Sequence, residues 1–184
     1  MQSARREQEI VHHLQLVEGG IAGFLPAHGR ILTPAECEAL AKEIVREGAW
    51  TGVELTPTES QTRAFALLYE DEQTEMWLLS WLPCHSTGFH DHGASNVGFC
   101  VAQGTLVEQQ LRFAEPPQQT TLAVGDSRAA GSDYIHSLEW ETGAPALSVH
   151  VYSPPLAVVG QYRYDENGTL RRATQPGRDE LTKD

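Results

Sequence analysis

The sequence predicts a mainly β protein: an antiparallel barrel or sandwich of short strands preceded by helices. Three observations predict it. From Thr51 onward, short β-like runs alternate with turn residues. Before that point, apolar residues recur at helical spacing instead. The 184 residues, 40% of them apolar, suffice for one core and require no second one. The expected organisation is therefore one domain over 1–184, with a helical cover at 1–50, the barrel at 51–165 and a flexible tail at 175–184.

In chain order, Ile10, Val11, Leu14 and Val17 give a helix over 3–17 an apolar side, and Gly19 and Gly20 end it. Thr33 reads as the N-cap of a second helix, with Pro34 in its first turn and Glu36 completing a capping box. Leu40, Ile44 and Val45 form its apolar face, and Gly48 stops it. Strands are expected over 62–69, 75–82, 87–92, 97–101, 105–113, 120–124, 134–140, 146–152 and 159–164. Turn signals such as "EDEQ", "HGAS", "AEPPQQ", "ETGAP" and "DENG" separate them.

A net charge of −12 repels nucleic acid and anionic membranes, so neither is an expected partner. No apolar run reaches the roughly 20 residues of a bilayer span, and the amino end lacks a hydrophobic signal core. Cys37, Cys84 and Cys100 are odd in number and widely spaced, which argues against a disulfide framework. A cytoplasmic protein, monomeric or a small homo-oligomer, is the expectation.

The chemistry concentrates in "GFHDHGASNVGFCVAQG". His90 and His92 lie two apart, so on a strand both rings face one way, as a metal site requires. A third ligand is needed from the eight histidines. His12, His13 and His28 read as solvated surface residues, and His85 falls on the other strand parity from the pair. His136 in "YIHSLEW" and His150 in "LSVHVYSPP" remain, both on strong strand signals. His150 shares a strand face with Ser148 and Tyr152, a polar stripe suited to orienting a tyrosine hydroxyl over a metal.

"FHDHGASNVGFCVAQGTL" resembles the first cupin motif, with Val97 where that motif usually has glutamate and Cys84 where it opens on glycine. "GDSRAAGSDYIHSLEW" is similar to a loose second cupin motif carrying His136. The ordered set "HDH", "IHSLE" and "LSVHVYSPP" most resembles the thiol dioxygenases, cysteine dioxygenase in particular, over about Thr62 to Pro155. That resemblance implies a cupin-type antiparallel β-barrel (jelly roll) and Fe(II) held by His90, His92 and His136 without a carboxylate. It also implies a Ser148–His150–Tyr152 network, and Arg63 in "QTRAF" as the residue that binds the substrate carboxylate. Arg63 alternates in phase with Phe65, Leu67 and Tyr69, the bulkier side of its strand.

The implied partners are a small thiol and O2, and the implied reaction is oxidation of L-cysteine to cysteine sulfinate. The alternatives are 3-mercaptopropionate or another small thiol as substrate, or a non-catalytic cupin that binds a metal or ligand. Animal members place a cysteine where Val97 stands and crosslink it to the network tyrosine, so Tyr152 is expected to remain a free phenol. Cys100, three positions on, is expected on the opposite strand face. Gln61 replaces the aromatic residue that often precedes the arginine by two.

Overall fold

A computed structural model describes residues 29–55, 63–83, 85–112 and 115–177. The helix expected over 3–17, His12, His13, His28, Gln61, Cys84 and residues 178–184 lie outside the described residues. Helix α1 (Pro34–Arg46) is followed by β1 (Phe65–Glu70), β2 (Glu75–Trp81), β3 (Phe89–Asp91), β4 (Asn96–Gln103) and β5 (Leu106–Leu111). Then come β6 (Gln118–Leu122), β7 (Ser127–Ala130), β8 (Ile135–Trp140), β9 (Ala146–Ser153), β10 (Val158–Tyr164) and β11 (Leu170–Pro176).

The strands form two antiparallel sheets, ordered β1-β2-β9-β4-β7 and β11-β10-β3-β8-β5-β6. Two strands were not legible in the sequence. β7 (SRAA) and β11 (LRRATQP) are edge strands without apolar alternation, and their neighbours β4 and β10 define them. β11 also runs through Pro176, into the stretch expected to form a flexible tail.

α1 begins where its cap predicts. Thr33 accepts from the Glu36 amide, and Glu36 accepts from the Thr33 amide in return. Its face of Cys37, Leu40, Ala41 and Ile44 packs on Ala66, Leu68, Met76, Leu78, Cys100, Val149 and Val151 of the first sheet. Fully burying the Leu, Ile, Val and Met side chains among them contributes about 1.5–3 kcal/mol each. The approach is close enough at Gly98 that a Cβ there would overlap the Glu38 backbone. Only glycine fits.

The other face of that sheet presents Trp77, Leu79, Trp81, Val97, Phe99 and Tyr152 to Leu106, Leu122, Leu138 and Val159 of the second sheet. The first sheet is thus covered on both sides, which is why every residue of β2 is buried. An irregularity between Leu67 and Tyr69 breaks the alternation of β1. Phe65 and Leu67 face the second sheet, whereas Tyr69 joins Ala66 and Leu68 under the helix. The expected in-phase row therefore ends at Leu67.

Candidate metal and substrate site

The site lies between the sheets. β3 is only three residues long, and His90 on it stands opposite His136 of β8 on one side and Gln161 of β10 on the other. That register, joined by His92 just after the strand, brings three imidazoles together. Ring centroids are 4.7 Å apart for His90–His136, 4.9 Å for His90–His92 and 5.2 Å for His92–His136. A nitrogen from each lies within 4.8 Å of one from the others, a group that could hold a metal ion and includes no carboxylate.

Donor chemistry fits a cation. His136 Nδ1 donates to Glu108 Oε1 at 2.8 Å, and His90 Nδ1 donates to the Gly88 carbonyl at 3.1 Å. With Nδ1 protonated on both rings, each Nε2 keeps its lone pair. His92 Nδ1 is buried without a hydrogen-bond partner, a cost that a bound cation or ligand atom would help offset. Burial, then the neighbouring His136, holds His90 well below the usual imidazole range; burial and then His90 do the same to His92. Both rings are therefore neutral, the form that ligates.

Facing the triad from the first sheet is the polar stripe of β9. Trp81 Nε1 donates to Ser148 Oγ at 2.8 Å, Ser148 Oγ meets His150 Nε2 at 2.9 Å, and His150 Nδ1 meets the Tyr152 hydroxyl at 3.3 Å. With Trp81 on one Ser148 lone pair, the chain runs most simply as Ser148 donating to His150 and His150 to Tyr152. That direction leaves the Tyr152 O–H able to donate onward. The Tyr152 ring centroid is 5.8 Å from that of His92. Burial, then the proximity of His136 and Arg63, keeps His150 well below its ordinary pKa.

Arg63 is 1% exposed, and its guanidinium lies over the Trp81 ring, 4.6 Å from the centroid. The structure thus gathers His90, His92, His136, Ser148, His150, Tyr152 and Arg63 at one place. Val97 stands opposite Tyr152 in the β4–β9 register, and Cys100 lies on the helix side of the sheet.

Three contributors escaped the sequence reading. The motifs single out none of Trp81, Glu108 and Asp91. Asp91 lies between the two histidines in sequence. It is buried, and accepts from Arg172 Nε at 2.7 Å and Nη2 at 3.0 Å, from Tyr162 at 2.7 Å, and from the Gly93 and Gly160 amides. Burial alone would raise Asp91, but these donors outweigh it and hold its pKa at about 2. An acid placed between two ligand positions, with Gly93 two residues on, was the available signal.

Residues 50–167, well over half of the chain, match the family model for cysteine dioxygenase type I. Among solved structures, TT1209 of Thermus thermophilus is 22% identical, covers 54% of this chain and 90% of its own, and has a TM-score of 0.47. KdgF from a Halomonas species is 14% identical, with 55% and 88% covered and a TM-score of 0.47. A conserved double-stranded β-helix protein of Klebsiella pneumoniae is 16% identical, with 80% and 100% covered and a TM-score of 0.46. Likenesses this distant carry no argument about chemistry.

Proposed function

The chain belongs to the cysteine dioxygenase type I family, and from that premise we propose that it is a non-haem Fe(II)-dependent thiol dioxygenase oxidising L-cysteine with O2 to cysteine sulfinate. Family membership supports dioxygenase-type activity on a small molecule. The observation that carries the finer reading is the group of His90, His92 and His136 with no acid in it. Three neutral donors leave the charge of a divalent cation uncompensated by the protein, which favours an anionic sulfur beside it. Fe(II) held by these three residues would supply the redox chemistry that joins dioxygen to sulfur. Both oxygen atoms end on the sulfur, so thiol plus O2 balances to sulfinic acid with no further reductant.

The chain's own residues do the rest. The Arg63 fork takes the substrate carboxylate through charge-assisted hydrogen bonds, each contributing about 1.5–3 kcal/mol. Trp81 beneath it keeps the guanidinium from swinging away. The Tyr152 hydroxyl, held by His150, keeps a proton available to the reacting pair. Trp77, Leu79 and Phe99, all buried, keep bulk water from the space between the sheets. Fixing substrate and donor groups within reach of one another accounts for much of the rate.

The same reading takes residues 1–184 as one domain working in the cytoplasm. Cys37 and Cys100 standing as free thiols is in keeping with a reducing compartment. Among the described residues, no helix is long and apolar enough to cross a membrane.

Anaerobic loading with Fe(II), followed by oxygen-electrode traces with cysteine and with 3-mercaptopropionate, tests the proposal. The expected result is iron-dependent O2 uptake with cysteine and an equimolar yield of sulfinate. Faster turnover of 3-mercaptopropionate would change the substrate and keep the reaction. No uptake with either thiol, together with stoichiometric zinc in the native protein, would overturn it.

A further inference from the structure

We propose that Glu108 is a positioning residue for the metal centre: it locks the His136 ring with its proton on Nδ1, and Arg128 tempers the charge it delivers there. The inference rests on the reading that the histidine triad holds a metal.

Glu108 sits on β5 and is 2% exposed. A carboxylate so deeply buried is costly unless its oxygens are met by donors. Oε1 accepts from His136 Nδ1 at 2.8 Å and from the Tyr134 hydroxyl at 3.0 Å, while Oε2 accepts from Arg128 Nε at 2.8 Å. The β5–β8 register makes the first contact unavoidable. Glu108 stands opposite Leu138 and His136 opposite Gln110, so acid and imidazole are diagonal neighbours on one face. Arg128 comes from β7 in the other sheet, so the carboxylate also ties the two sheets together behind the triad.

The three rings are not equivalent. His136 donates to a carboxylate, His90 to a neutral carbonyl, and His92 Nδ1 to nothing. A carboxylate accepting at Nδ1 raises the basicity of Nε2 and fixes the plane of the ring. His136 is therefore the ring whose tautomer and plane are held most firmly, by a charged acceptor. Arg128 on the second oxygen draws part of that charge away, so removing it should act in the opposite direction from removing Glu108.

The experiment measures Co(II) affinity by competition with a chromophoric chelator, together with the visible spectrum of the Co(II) form, for wild type, Glu108→Ala, Glu108→Gln and Arg128→Gln. Metal-free thermal unfolding is followed alongside. Glu108→Ala is expected to weaken binding roughly 10–100-fold. Glu108→Gln, whose amide oxygen still accepts, should lose less, and Arg128→Gln should bind at least as tightly as wild type. Should Glu108→Ala not fold, the opposed signs of Glu108→Gln and Arg128→Gln decide. Wild-type affinity and spectrum in folded Glu108 variants, or an equal loss in Arg128→Gln, would overturn the inference alone. A wild-type protein that takes up no Co(II) and no Fe(II) would instead remove the proposed metal site, and this inference with it.

Discussion

The Arg63 guanidinium lies 4.6 Å from the centroid of the Trp81 ring, and the indole N–H of that ring donates to Ser148 at 2.8 Å. One tryptophan thus joins the proposed carboxylate clamp to the Ser148–His150–Tyr152 chain. A desolvated cation–π contact contributes about 2 kcal/mol, or roughly 30-fold. Trp81→Leu should raise the KM for cysteine by about that factor. Trp81→Phe keeps a ring face but loses the donor, and should lower kcat more than it raises KM. Steady-state oxygen uptake separates the two, and an unchanged KM in Trp81→Leu would show that the Trp81 ring does not hold the Arg63 clamp in place.

Tyr152 faces Val97 across the β4–β9 ladder. The described cysteines, Cys37 and Cys100, belong to the helix side of that sheet. No thioether from either to Tyr152 is therefore expected, and the intact mass should equal that of the unmodified chain. A digest peptide containing Tyr152 with a mass deficit would contradict this. If the hydroxyl supplies a proton in the reaction, Tyr152→Phe should lower kcat roughly 100-fold with iron content preserved.

Burial pushes the Cys37 thiol up to about 12 and the Cys100 thiol up to about 11. The fold disfavours their charged form. This contribution to stability is full below the ordinary value of 9.0 and is lost as pH climbs through 11 and 12. Two outcomes follow. Unfolding by urea should become easier above about pH 9. At pH 8, peptide mapping after brief alkylation should find Cys37 and Cys100 unlabelled in the native protein and labelled in denaturant. Rapid native labelling of either would contradict the packing described.

Asp91 and Arg172 fasten the short β3 to the β10–β11 hairpin. A Cβ at Gly160 would collide with both side chains, so the glycine makes room for the pair. Breaking a fully buried pair costs about 3–5 kcal/mol, but the Arg172 side chain is 41% exposed and solvent screens it. Arg172→Met should therefore destabilise by about 1–2 kcal/mol, between the exposed and buried limits, read as a lower urea midpoint at constant slope. A midpoint equal to wild type would mean that β3 is held by its neighbours alone.

Local periodicity made much of this protein legible without coordinates. The i, i+2 spacing put His90 with His92, and Ser148 with His150 and Tyr152, on common strand faces, because alternation is a property of any extended chain. The capping box at Thr33 and Glu36 was likewise readable, since both partners lie within one turn. Spacing left His136 and His150 both open as the third donor; family resemblance, not geometry, chose between them.

What only the tertiary structure decided is non-local. The opposition of His90 to His136, the diagonal of Glu108 and His136, and the seat of Arg63 on Trp81 depend on how strands far apart in sequence are registered. A one-residue slip would turn every such side chain to the other face. The break after Leu67 does that to Tyr69. β7 and β11 carry too little apolar pattern to announce themselves, and exist because a neighbouring strand offers its hydrogen bonds. Composition and alternation therefore determined which residues could line a site, while strand register, the sum of many weak contacts, determined which of them meet.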